Sequence, residues 1–172
     1  MVSENLTGDG VRRGLDLPAK KKILRTIPYG LYALTSAYND ELNVFTATWV
    51  SQCSFEPPLL MVAVRKDSYS HDMIRNGGVF ALNFVGKDDA DLLAAFFKTV
   101  RRVGNKLGDA PFRIGATGAP LLDAAISALE CRVTQFHEAG DHSVVIGEVV
   151  AAHLYRDESP LICSDTSWHY AG

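Results

Sequence analysis

Two long stretches of strand-forming sequence, Ala124 to Phe136 and Ser143 to Tyr155, are joined at Glu138-Ala139-Gly140-Asp141, and this constrains the fold more than any other feature. So short a joint turns the second stretch back beside the first as an antiparallel partner. The same grammar recurs upstream. Leu31 to Ala37 reads as a strand, Tyr38-Asn39-Asp40-Glu41 supplies turn residues, and a second strand runs from about Leu42 to Val50. After the break at Pro57-Pro58, Leu59 to Val64 is an unbroken apolar run of strand length, which predicts a strand deep in the core with both faces buried. Val79 to Val85 reads as another strand.

Helical patterns are few. Leu17 to Leu24 has Pro18 in a first-turn position and lysines on a solvated face, and it ends near Ile27-Pro28. Ser68 to Asn76 offers a capping residue at its start, Met73 and Ile74 on one side, and a stop at Gly77-Gly78. Asp88 to Lys98 begins acidic, ends basic and carries Leu92, Leu93, Phe96 and Phe97 at helical spacing. Thr99 to Gly118 has little periodicity and reads as a long functional loop. The balance predicts a mainly β chain, an antiparallel closed or split β-barrel with two or three short helices, rather than a doubly wound parallel sheet. There is no Gly-rich strand-to-helix turn, so any dinucleotide must bind by another route.

The chain of 172 residues shows no repeat or composition break, which predicts one domain over residues 17–172 after a flexible N-terminal arm over residues 1–16. A formal net charge of -3 gives no reason to expect nucleic acid as a partner. No apolar run is long enough to span a bilayer, and Met1 to Gly14 lacks the apolar core of a signal peptide, so a membrane is not expected either. Cys53, Cys131 and Cys163 are odd in number and far apart, which fits a reducing cytoplasm better than a disulfide framework. His137 and His142 have too few accompanying ligands for a metal site, and none is expected.

Three blocks of sequence occur in a recognisable order. The first is Asn43 to Met61, NVFTATWVSQCSFEPPLLM, where small and hydroxylated residues lead to a Ser and then to an acidic-Pro-Pro element opening a buried strand. The second is Arg65 to His71 with Ile74, followed by Gly78-Val79-Phe80-Ala81-Leu82-Asn83. The third is Gly140-Asp141-His142-Ser143 followed by Ile146-Gly147-Glu148-Val149. Together, over about Ile27 to Val150, they resemble the flavin reductase-like proteins of the FMN-binding split-barrel fold. That resemblance implies an NAD(P)H:FMN oxidoreductase, in which NADH or NADPH reduces FMN, with FAD as an alternative flavin. It also implies a homodimer with flavin near the subunit boundary. Reduced flavin or electrons would go to a separate acceptor, such as a monooxygenase component or a small redox protein. The alternative is an FMN-containing electron-transfer protein reduced by a protein partner. Trp49 departs from the pattern, standing where many relatives carry a small polar residue, and the arm before Pro18 has no counterpart.

Under that resemblance the flavin lies on Thr46, Ala47, Thr48, Trp49, Val50, Ser51 and Gln52, because a flavin's polar edge needs short side chains that let backbone amides approach. A Thr-rich strand at ordinary β-propensity is the competing reading. Trp49 either stacks on the isoalloxazine or is a core residue. The FMN phosphate needs cations and hydroxyls in one place, and Arg65, Lys66, Ser68 and Ser70 offer them where a strand gives way to a helix. His71 is a weaker addition. Lys98 and Arg102, with Arg101 and Lys106, either close over a phosphate or are solvated charge. Asp141 and His142 are the implied docking place of the nicotinamide nucleotide, with a turn histidine capped by its aspartate as the alternative. No general acid, base or nucleophile is required, since hydride transfer is intrinsic to the two cofactors.

Overall fold

The computed structural model describes residues 14–170. Most of the expected N-terminal arm therefore lies outside the described residues. A first helix, α1 (Leu17–Leu24), begins where the Asp16 carboxylate accepts a hydrogen bond from Ala19 N–H at 2.9 Å and ends before the barrel. β1 (Tyr32–Tyr38) and β2 (Glu41–Ala47) form the expected hairpin. Asn39 and Asp40 take φ of 47° and 62°, the left-handed pair that a tight two-residue turn requires.

β3 (Val50–Ser54) and β4 (Leu59–Arg65) pair next, then α2 (Tyr69–Gly77) leads into β5 (Val79–Phe84). α2 starts at Ser68, whose hydroxyl accepts from His71 N–H, and stops at Gly78 with φ of 65°, a conformation glycine adopts without strain. β10 (Ser127–Ala139) and β11 (His142–Leu154) pair antiparallel from Ala139 opposite His142 to Ser127 opposite Leu154. The complete sheet has the order β2-β1-β5-β10-β11-β4-β3, and every pairing is antiparallel.

The strand order explains the barrel. β2 and β3 are the two opposite edges of a seven-stranded sheet, yet only Thr48 and Trp49 separate them in sequence. The sheet must curl until its edges almost meet, and it stays split there because no ladder joins them. The single strand expected from Leu42 to Val50 is accordingly two strands, interrupted where the chain changes edge.

Three other expectations are corrected. β4 is buried on one face only: Leu60, Val62 and Val64 point inward while Met61 is 39% exposed, because no layer of the described residues covers the outer face there. The helix expected over Asp88 to Lys98 shortens to α3 (Ala90–Ala94) followed by a 3₁₀ turn (Ala95–Phe97); Asp89 makes no side-chain cap, and Leu93 and Phe96 supply the buried contacts. The stretch from Thr99 to Gly118 is not a loop but the start of a small antiparallel sheet of β6 (Arg102–Val103), β7 (Lys106–Leu107), β8 (Ala110–Ile114) and β9 (Pro120–Leu122). Its strands are too short to show periodicity, and Gly104 and Gly108, at φ of 61° and 60°, make the reversals.

The barrel interior is filled by Leu34, Val62, Val64, Ile74, Phe80, Leu82, Cys131 and Val145. Gly147 is needed there for close approach, since a Cβ would lie 2.5 Å from Phe80 Cε1 and 3.0 Å from Cys131 Cβ. Gly147→Ala is therefore expected to destabilise the fold by about 1–3 kcal/mol, seen as a lower urea midpoint at unchanged slope; an unchanged midpoint would show that the Phe80 ring shifts freely. After β11 the chain returns across the barrel end, where Leu161 N–H donates to Val85 O at 2.9 Å and Leu31 N–H to Leu161 O at 3.2 Å.

Candidate cofactor site

Where the chain crosses from β2 to β3, a cavity of about 680 Å³ opens against the outer side of β4 and the start of α2. Thr46, Ala47, Thr48 and Trp49 form one wall. The wall is fixed from several sides: Thr46 Oγ1 donates to Leu93 O at 2.7 Å, Asn43 Nδ2 donates to Ser70 Oγ at 2.9 Å, and Ala63 N–H donates to Trp49 O at 3.0 Å. As an edge strand, β2 has outward backbone groups that no ladder takes, available to a ligand's polar rim.

Arg65, Ser68 and Ser70 line the second wall, at the junction of β4 and α2. Ser68 Oγ donates to Arg65 O at 2.7 Å and accepts from His71 N–H at 3.2 Å. The Arg65 guanidinium forks onto Asp67 at 2.6 and 2.5 Å. The hydrogen bond from Arg65 holds the Asp67 carboxyl below its ordinary value, and the same pairing raises the guanidinium further. An anion placed here meets helix N-terminal amides, two hydroxyls and an arginine that already has a partner. Phe96, Phe97, Lys98 and Thr99 close the cavity from the 3₁₀ turn, and Trp168, His169 and Tyr170 close it from the C-terminal tail. The Phe97 and Trp168 rings meet edge-on at 4.7 Å.

The remaining residues singled out in the sequence lie apart from this cavity. Ser51 and Gln52 are exposed on β3, bonded only to neighbouring backbone, and Val50 packs toward the barrel core. Lys66 reaches Glu138 at 3.2 Å. Arg102 donates to Gly104 O at 2.9 Å and lies over the Phe112 ring, beside a second cleft that also takes in Asp40 and Glu41. Arg101 and Lys106 are exposed on the small sheet's side. His71 is buried in the fold, its Nε2 2.9 Å from Ser143 Oγ.

Asp141 and His142 are not on the cavity wall but immediately behind it. The Asp141 carboxylate, held below its ordinary value first by this bond, accepts from His142 Nδ1 at 2.7 Å, and the His142 ring lies 4.7 Å from that of Trp49. Sequence reasoning missed the tail residues altogether; the aromatic run Trp168-His169-Tyr170 was the available signal. Among the described residues no group of three or more His, Cys, Asp or Glu side chains could hold a metal, and no helix is long and apolar enough to cross a membrane.

Comparison with known proteins gives a consistent result. The family described as "Flavin reductase like domain" matches residues 24–171. Diflavin flavoprotein A 1 of Synechocystis sp. is 31% identical over 147 residues, covering 85% of this chain and 26% of that protein. FMN reductase (NADH) SmoA of Agrobacterium fabrum is 32% identical over 119 residues, covering 69% of this chain and 66% of the relative. The chain thus spans a quarter of one relative's length and just under two thirds of the other's. Among solved structures, flavin reductase HpaC complexed with NADP+ superposes with a TM-score of 0.73 at 25% identity, covering 84% of this chain and 91% of that one.

Proposed function

This chain belongs to the flavin reductase-like domain family, and on that premise we propose that it is an NAD(P)H-dependent flavin reductase that holds FMN in the cavity at Thr46–Trp49. The observation that carries this reading is that three wanted surfaces face one space: the short side chains ending β2, the N-terminal end of α2 with Ser68 and Ser70, and Lys98.

The residues fit the cofactor. The cavity has the volume of a small-ligand site. Thr46, Ala47 and Thr48 leave the wall low enough for amides to reach a polar ring edge, while Ser68, Ser70, Arg65 and Lys98 provide the hydroxyls and charge that a phosphate requires. Bound flavin supplies the redox chemistry, accepting hydride from a nicotinamide and yielding electrons onward. The chain's part is to orient the ring, to present His142 and Trp49 to the nicotinamide, and to keep water out beneath Phe97 and Trp168.

FAD in place of FMN, and NADPH in place of NADH, are variants of the same reading; the relative named FMN reductase (NADH) favours FMN and NADH. The outer face of β4 with exposed Met61 lies beside the cavity, which supports a homodimer with flavin near the boundary. Residues 17–172 would act as one unit in the cytoplasm, passing reduced flavin or electrons to a monooxygenase component or a small redox protein.

Purified protein loaded with FMN is expected to lose its flavin absorbance on anaerobic titration with NADH or NADPH. Tight FMN binding with inertness toward both would sink the reductase reading. It would favour the second one, an electron-transfer module reduced by a protein partner, which the match to part of a diflavin flavoprotein supports.

A further inference from the structure

Tyr170 has the position of a ligand rather than of a structural residue. Its phenol oxygen lies 3.0 Å from His142 Nε2, and its ring centroid is 5.4 Å from that of Trp49. The proton on His142 Nδ1 goes to the Asp141 carboxylate, which can only accept, so a neutral ring accepts at Nε2 from the Tyr170 hydroxyl. Both nitrogens of His142 are then engaged, and its side chain is only 11% exposed. Any planar ring that is to meet Trp49 and His142 at this place has to take the position that Tyr170 holds.

Two observations mark the contact as replaceable. Tyr170 is 48% exposed, so its ring lies against the wall rather than packed within it. Among the described residues the indole N–H of Trp49 is buried without an acceptor while the phenol is in place. A buried donor without a partner is unfavourable, and it opposes the tail-down arrangement. Nicotinamide offers what the phenol offers, a flat ring and a hydrogen-bond donor in its carboxamide N–H. It also offers what the phenol does not supply to Trp49, an acceptor in the carboxamide oxygen.

We propose that the segment after Thr166 carries Tyr170 as a built-in competitor of the nicotinamide, seated edge-on against Trp49 and His142 and displaced when the nucleotide binds. This rests on the reductase reading above, since it assigns His142 and Trp49 to the nicotinamide. A site blocked in most molecules binds with an apparent affinity reduced by the fraction that is open, so removing the blocking ring tightens binding. Tyr170→Ala is expected to lower the dissociation constant for NAD+ and the KM for NADH by about tenfold, the factor for a tail seated in nine molecules of ten. Tyr170→Phe, which keeps the ring and loses the bond to His142, should fall between.

The measurement is a titration of the FMN-loaded full chain with NAD+ and NADH for wild type and both variants. Alongside it, protein with fluorotyrosine incorporated is followed by ¹⁹F NMR, the Tyr170 signal being identified by its loss in Tyr170→Phe. Saturating NAD+ should move that signal to the position of a solvent-exposed tyrosine. Nucleotide binding that is unchanged or weaker in Tyr170→Ala, or a Tyr170 signal that stays put at saturation, overturns the proposal and leaves the reductase reading standing. Failure of wild type and Tyr170→Ala alike to bind either nucleotide overturns both.

Discussion

Replacing Glu130 with alanine is expected to lower the stability of the fold by about 3 kcal/mol, close to the loss of a whole structural tie between the barrel and the small sheet. Glu130 lies in the middle of β10 with a fully buried side chain, an unusual place for a carboxylate. It stays there because every approach is satisfied. Thr117 N–H donates to Oε2 at 2.8 Å, Thr117 Oγ1 donates to the same oxygen at 2.9 Å, and His153 Nε2 donates to Oε1 at 2.8 Å. Gly115 comes so near that a Cβ on it would lie 2.4 Å from Oε2. Alanine leaves the Thr117 amide and the His153 ring without their acceptor and opens a void beneath the turn from β8 to β9. Urea denaturation should show the loss as a midpoint lowered by roughly 1.5 M at a slope of about 2 kcal/mol/M. A midpoint within error of wild type would mean that the turn contributes nothing to holding the barrel.

The same carboxylate gives the protein a defined acid limb. Burial alone would raise its pKa, but the bonds from the Thr117 amide, His153 and the Thr117 hydroxyl outweigh that and hold it below the ordinary value of 4.5. A group with a lowered folded-state value contributes stability that is complete above 4.5 and is lost as the pH falls toward and through the lower folded value. Wild type should therefore lose stability more steeply below that point than Glu130→Gln, which has no proton to take up there.

The legible and illegible parts of this chain differ in a physical way. Hairpins could be read wherever turn residues sat between strand-forming runs, as with Asn39-Asp40 and Gly140-Asp141, because that information is local. The crossing at Thr48-Trp49 could not, since nothing local tells a bend between the edges of one curled sheet from the middle of a strand. β4 read as buried on both faces because Met61 and Ala63 are apolar, although the described residues bury only the Leu60, Val62 and Val64 face. At the candidate site, Thr46 to Trp49, Ser68 and Ser70 are singled out through family resemblance, composition alone being equally consistent with an ordinary strand and turn. The tail could not be placed, because its return to the cavity depends on pairings as distant as Gly30 with Ile162 and Gly86 with Pro160.

Ser70→Asp is expected to weaken FMN binding on the order of 100-fold while leaving the fold intact. Ser70 lies in the first turn of α2, half-buried, on the cavity wall that Arg65, Ser68 and Lys98 share. A carboxylate there suits the helix, since negative charge near an N-terminus is favourable, and it can still accept the hydrogen bond that Asn43 Nδ2 now gives to the hydroxyl. Thermal stability should not fall. The flavin phosphate, with close to two negative charges, would meet that carboxylate in a partly desolvated pocket where Arg65 is already neutralised by Asp67. Repulsion on the order of 2–3 kcal/mol follows at an intermediate dielectric, which corresponds to roughly 100-fold in affinity. Riboflavin, which lacks the phosphate, separates this effect from general damage to the cavity. Fluorescence titration should show FMN affinity collapsing and riboflavin affinity nearly unchanged, with part of the FMN loss recovered at high salt. Equal weakening of both flavins would place the phosphate away from α2 and return Ser68 and Ser70 to an ordinary capped turn.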